Sequence, residues 1–142
     1  MTRSQLIRFV QRQRLGVVSS LAADGAPQAA VVGIATSEAG EIVFDTLGTS
    51  RKARNLRRDP RVSVVVWENE RTVQLDGRAD EPTGIELDRL REVYFAAYPD
   101  GRERLAWPGL THFRIVPTWG RFSDFEASPA PLIVELDLAP GR

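Results

Sequence analysis

A chain of 142 residues is close to the commonest domain size, so one hydrophobic core is expected, and two separately folded units would each be hard to stabilise. Hydrophobic residues at 42% and charged residues at 27% describe ordinary globular composition and exclude a long disordered, fibrous or low-complexity chain. The 19 basic and 19 acidic residues cancel, so no protein-wide field draws the molecule to nucleic acid or an anionic membrane; the absence of cysteine excludes disulfides, thiolate catalysis and zinc–sulfur sites.

Ser4 is predicted to cap a short helix that sets Leu6, Ile7 and Val10 on one side and stops at Gly16. The period then changes. Leu15–Leu21 reads as a strand, Ala23-Asp24-Gly25-Ala26 as a tight turn, and 27–36 as a second strand. Ser37–Gly40 turns again into a third strand, Glu41–Thr46. Thr49 or Ser50 caps a helix over Arg51–Arg58, which Asp59-Pro60 ends because proline disfavours helical geometry in the residue before it.

Arg61–Trp67 is the strongest strand signal, and Glu68-Asn69-Glu70 turns it back into Arg71–Ala79, where polar and apolar residues alternate. Thr83-Gly84-Ile85-Glu86 matches a capping box, with Leu87, Leu90, Tyr94 and Tyr98 at helical spacing, so a helix is predicted to about Ala97, covering or plugging one end of a barrel. A loop through Pro99, Gly101, Trp107 and Pro108 leads to strands at Thr111–Val116 and Trp119–Phe125. The residues from 127 onward add an edge strand around Leu132-Ile133-Val134 before fraying toward the end of the chain. The expected fold is mainly β (α+β), with six to seven antiparallel strands closing into a small barrel and two to three helices, all in one domain over 1–142.

No run approaches the ~20 apolar residues that span a bilayer, and the Met1–Val10 stretch carries Arg3 and Arg8 where a signal peptide would be continuously apolar. A soluble cytoplasmic protein with no membrane or nucleic-acid partner is expected. His112 is the one histidine and sits in an alternating strand, which favours a packing or surface residue over a proton donor and argues against a histidine metal site. No catalytic acid or base and no metal ligand is assigned.

The chemically informative stretch runs from Phe44 to Val62. A strand ends in small hydroxylated residues and a glycine, and a helix begins there with free backbone amides and two cationic side chains, Arg51 and Lys52, the latter the single lysine. Such a start is suited to an anion: Arg51 can fork onto two phosphate oxygens, Lys52 supplies a compact charge, and Thr46, Thr49 and Ser50 offer hydroxyls. The same residues also read as a solvated amphipathic helix with Ala53 and Leu56 packed inward.

The run Ser50-Arg51-Lys52, then Asn55-Leu56, then Asp59-Pro60-Arg61-Val62-Ser63 entering a strand that ends at Trp67, resembles the signature of pyridoxamine 5'-phosphate oxidase-like flavin-binding split barrels. The similarity extends over 16–79 and includes the Asp24-Gly25 turn followed by Pro27, the strand ending Phe44-Asp45-Thr46, and the hairpin with Arg71-Thr72-Val73 and Asp76-Gly77-Arg78. The resemblance implies an FMN-binding oxidoreductase acting on a small molecule, built as a homodimer with the cofactor at the interface. It implies that Thr46, Ser50, Arg51 and Lys52, with the neighbouring Thr49, hold the FMN phosphate and ribityl chain. It further implies that Thr72 and Gln74 meet the ring system and that Trp119 and Arg121 approach from the partner chain.

Two departures narrow that implication: Ala30 and Ala35 stand where the vitamin-processing enzymes carry an arginine on the phosphate and a lysine, which implies a weaker phosphate grip, and no Arg-Leu-His-Asp-Arg-like segment follows Trp119, which implies that the pocket for pyridoxamine phosphate is missing. Vitamin B6 chemistry is therefore not expected. Related small barrels that use the deazaflavin coenzyme F-420 also carry a run like Arg54–Arg61, and there Arg54, Arg57 and Arg58 would help hold a longer acidic tail. A non-catalytic dimeric barrel that stores flavin or haem, or an interaction domain, is the alternative of a different class.

Overall fold

The structure is a computed structural model that describes residues 1–140. Its elements are α1 (Arg3–Gln11), β1 (Leu15–Leu21), β2 (Pro27–Gly33), β3 (Ala35–Thr36), β4 (Ile42–Leu47), α2 (Arg51–Arg58), β5 (Arg61–Glu68), β6 (Arg71–Asp80), α3 (Gly84–Ala97), a 3-10 helix (Pro99–Ala106), β7 (Leu110–Asp124) and β8 (Leu132–Asp137). The strands pair antiparallel in the order β2-β1-β5-β6-β7-β4-β3, and β8 joins β7 beyond the end of β4. This is the mainly β split half-barrel expected, with one strand and one helix more than counted. No helix of the described residues is long and apolar enough to cross a membrane.

The differences have local causes. The run 27–36 divides because the Ile34 amide turns to the Arg14 carbonyl at 2.9 Å, leaving β3 as a separate two-residue strand. Thr111–Val116 and Trp119–Phe125 are one continuous strand, and the stretch read as a loop from Pro99 winds into a 3-10 helix. The first helix is capped by Thr2, not Ser4: the Thr2 hydroxyl accepts from the Gln5 amide while the Gln5 side chain accepts from the Thr2 amide. It also ends at Gln11, short of the expected Gly16. The edge strand expected near Leu132 is β8, and the fraying expected at 141–142 lies outside the described residues.

The core follows from alternation. Val62, Val64 and Val66 of β5 point inward, while Arg61, Ser63, Val65 and Trp67 point out. The inward set packs with Phe44, Phe113 and Phe122, with Leu6, Phe9 and Val10 of α1, and with Ala53 and Leu56 of α2. A bulge interrupts β6–β7: Asp76 opposes Trp119 and Gly77 opposes Pro117, so Thr118 has no partner across the ladder. Gly77 is required there, since a Cβ would lie 2.5 Å from the Val116 carbonyl oxygen.

A second, smaller core lies on the opposite face of β4, where Val43 meets Ala35, Leu90, Tyr94 and Phe95 while Ile42 and Phe44 serve the main core. Helix α3 therefore covers an outer face of the sheet and does not plug a barrel end. Its expected capping box is absent: Thr83 makes no side-chain cap, and the Glu86 carboxylate, the other half of the box, accepts instead from Arg89 at 2.6 Å and Arg114 at 2.9 Å. His112 is a packing residue of this region, 1% exposed, edge-on to Tyr94 and Phe95, with neither ring nitrogen finding a hydrogen-bond partner among the described residues.

Two outcomes follow from this packing. Gly77→Ala should lower stability by about 2 kcal/mol, because backbone rather than a flexible side chain must move; unchanged urea denaturation would refute the close approach. Burial, with help from the Arg91 charge, pushes the His112 imidazole below its ordinary value near 6.5, against the opposing charge of Asp45. The unfolded chain then binds the proton first, so stability should be complete above about pH 6.5 and decline as pH falls below it. Glu41, held at about 2 chiefly by Arg89, loses its contribution as pH falls from its ordinary value of 4.5 toward 2, so the interval from about pH 7 to 5 reports His112. His112→Leu should abolish that decline, and a wild type equally stable at both ends of the interval would contradict an enclosed neutral imidazole.

Candidate functional site

The end of β4 and the start of α2 are held by short-range hydrogen bonds. Thr46 Oγ1 donates to Ser50 Oγ at 2.9 Å, and Ser50 Oγ also accepts from the Ala53 amide at 3.2 Å as the helix N-cap. The bond between the two hydroxyls uses one of their two protons and leaves the other to donate outward. The turn between them is tied to other parts of the chain: the Gly48 amide donates to the Gly109 carbonyl at 2.7 Å, and Arg57 Nη1 donates to the Gly48 carbonyl at 2.7 Å. Arg57 also forks onto Glu81 at 2.5 and 2.8 Å, and Thr111 donates to the same carboxylate at 2.6 Å. The Arg57 hydrogen bonds hold the Glu81 carboxyl below its usual range, with Thr111 adding to the effect.

Beside this helix start is a cavity of about 310 Å³ between α2 and strands β1 and β2. Arg51 and Lys52 form its α2 wall, Gln28 and Ala30 its β2 wall, and Ser20 and Asn55 its floor. Among the described residues neither Arg51 nor Lys52 has a carboxylate within ion-pair distance. Asn55 is 5% exposed; its Nδ2 donates to Ser20 Oγ at 3.1 Å and Gln28 Oε1 at 2.7 Å, and its Oδ1 accepts from Arg58 at 3.0 Å.

A larger cavity of about 440 Å³ lies on the other side of Ser20, over the outer face of β1, β5 and β6. Its charges are mixed. Arg61 is forked onto Asp59, and Asp76 accepts from Ser63 at 2.9 Å, leaving Arg78 as the lining cation with no ion pair among the described residues.

The structure brings together Thr46, Ser50, Arg51 and Lys52 at one helix start, with Thr49 exposed on the turn beside them. The other candidates stand apart. Thr72 and Gln74 of β6 and Trp119 and Arg121 of β7 share the outer face, where Gln74 opposes Arg121. None of these four side chains lines either cavity of the protomer. Arg121 is also engaged, donating to Glu135 of β8 at 2.7 Å. His112 is buried against α3 and lines neither cavity.

Sequence reasoning missed Ser20 and Gln28 and gave Asn55 no role. The signals were present: a polar residue beside Pro27 in an otherwise small and apolar strand, and an asparagine inside a helix, where it is a poor helix former unless its amide has buried partners.

A family model described as pyridoxamine 5'-phosphate oxidase matches residues 3–124. The pyridoxine/pyridoxamine 5'-phosphate oxidase of Burkholderia multivorans is 34% identical over 92 residues, which is 63% of this chain and 41% of the relative. The chain thus spans about two-fifths of the length of that relative. A haem-binding protein from Mycobacterium smegmatis superposes with a TM-score of 0.81 at 20% identity, covering 94% of this chain and 57% of its own. A FAD-binding protein from Mesorhizobium loti superposes with a TM-score of 0.70 at 23% identity, covering 84% and 90%. These two likenesses carry the fold.

Proposed function

This chain belongs to the pyridoxamine 5'-phosphate oxidase family, and from that premise we propose that it is a flavin-binding oxidoreductase whose FMN phosphate sits in the cavity at the start of α2. The observation that carries the proposal is the wall formed by Arg51 and Lys52, two cations without a carboxylate partner among the described residues, beside the Thr46–Ser50 hydroxyl pair and the first amides of α2. That donor set fits a phosphate monoester in charge and in hydrogen-bonding sense. Bound there, the flavin supplies hydride or electron transfer to a small substrate, and the protein's own residues bind and orient it.

Several features favour FMN over the deazaflavin coenzyme F-420. Of the three arginines that would hold a longer acidic tail, Arg57 is engaged by Glu81 and Gly48, and Arg58 by the Leu21 carbonyl and Asn55. A haem ligated by histidine would need His112, which is enclosed, so the haem-storage reading finds no such ligand at the surface. Ala30 on the cavity wall leaves no guanidinium there, so Arg51 and Lys52 are the cations that hold the phosphate.

The proposed working unit is a homodimer in the cytoplasm. The outer face carries an unpartnered apolar set, with Val31 61%, Leu15 51%, Trp67 43% and Val65 37% exposed. A second copy packed there would bring its own Thr72, Gln74, Trp119 and Arg121 toward the cavity, which none of them lines within one protomer.

FMN titration followed by fluorescence should show binding at least about 100-fold tighter than riboflavin, and Arg51→Met with Lys52→Met should remove most of that preference, about tenfold per lost charged contact. Light scattering should give a dimer. Equal affinity for the two flavins would sink the phosphate assignment, and tighter binding of haem or coenzyme F-420 would replace FMN with that group.

A further inference from the structure

The hydrogen bonds under the cavity have a fixed polarity. Arg58 can only donate, so where its Nη2 meets Asn55 the atom facing it must be the oxygen, Oδ1, as the 3.0 Å contact has it. That orientation turns Nδ2 of Asn55 toward β1 and β2, where it donates to both Ser20 Oγ and Gln28 Oε1. Each recipient is thereby made an acceptor on its buried side. Gln28 must direct its Nε2 donors elsewhere, and Ser20 retains its own hydroxyl proton. No described residue accepts from either. Both side chains line the cavity that Arg51 and Lys52 face, and Ala30, on the same face of β2 two residues on, presents only a methyl group that leaves room for the Gln28 amide.

We infer that Gln28 and Ser20 are anion ligands of this cavity, set as hydrogen-bond donors by the Arg58–Asn55 relay, and that they complete from the sheet side the phosphate site that Arg51 and Lys52 form from the helix side. The inference rests on the flavin reading above for the identity of the phosphate, and it adds two ligands and one positioning residue to it. Gln28 and Ser20 touch the anion; Asn55, buried beneath them, acts through them. The chemistry is neutral donors opposed to two cations, which suits one phosphate monoester without overcharging a small site.

The test compares the wild type with Gln28→Glu and Asn55→Asp in the full chain, using FMN, riboflavin and inorganic phosphate as probes. Gln28→Glu keeps an oxygen for Asn55 to donate to, so the fold is retained, while the cavity loses a donor and gains an acceptor. It should weaken FMN about tenfold or more and leave riboflavin within about twofold, with thermal stability of the unliganded protein unchanged. Asn55→Asp still accepts from Arg58 but calls the Ser20 and Gln28 donors back toward itself, so it should show the same selective loss; a merely structural role would weaken both flavins together.

Inorganic phosphate, followed by ³¹P line broadening, should lose its interaction in both variants. FMN and phosphate binding equal to wild type in Gln28→Glu would overturn the inference while leaving the flavin reading standing. Wild-type protein that binds FMN no better than riboflavin yet broadens phosphate in a Gln28-dependent way would sink the flavin reading and leave the inference intact. Absence of both effects in the wild type would overturn both.

Discussion

The start of α2 is held from three directions, and the site depends on that restraint. Thr46 and Ser50 close the turn from within, Gly109 takes the Gly48 amide from the loop before β7, and Arg57 reaches back to the Gly48 carbonyl while its fork is held by Glu81. Below, Asn55 couples the helix to β1 and β2. An eight-residue helix is marginal by itself, so its position is a tertiary property. Because these contacts converge on the turn and the inward face, Arg51 and Lys52 are left directed at the cavity wall.

Charge is distributed to the same effect. The chain is neutral as a whole, and many of its arginines serve structure: Arg104 pairs with Asp45 under Tyr94, and Arg114 gathers Asp80, Glu41 and Glu86 against α3. These half-buried pairs remove cations from competition for a ligand. The positive potential at the head of α2 is thus local. The neutral relay from Arg58 through Asn55 extends it across the cavity as oriented dipoles without adding net charge.

Much of this was legible in the residues themselves. The cap at Thr49 or Ser50, helix 51–58 and its stop before Pro60 follow from short-range chemistry, and the β5–β6 hairpin from the β-branched run Arg61–Trp67 and the alternation in Arg71–Ala79. What escaped reading depends on partners far away in sequence. Thr83-Gly84-Ile85-Glu86 has the pattern of a capping box, but Arg114 and Arg89 offer Glu86 stronger partners than a backbone amide. The join across Pro117 into one long β7 depends on Gly77 of another strand accepting the bulge. Likewise Gln28 and Asn55 stand 27 residues apart, and only the packing of α2 over β2 makes one orient the other.

Where the phosphate of bound FMN lies is the most direct measurement. A crystal structure of the protein with FMN should show the phosphorus within hydrogen-bonding reach of Arg51 and Lys52 at the first turn of α2, with the Gln28 amide on its far side. Phosphate density in the neighbouring cavity by Arg78, or in bulk solvent, would contradict a site built on the head of that helix.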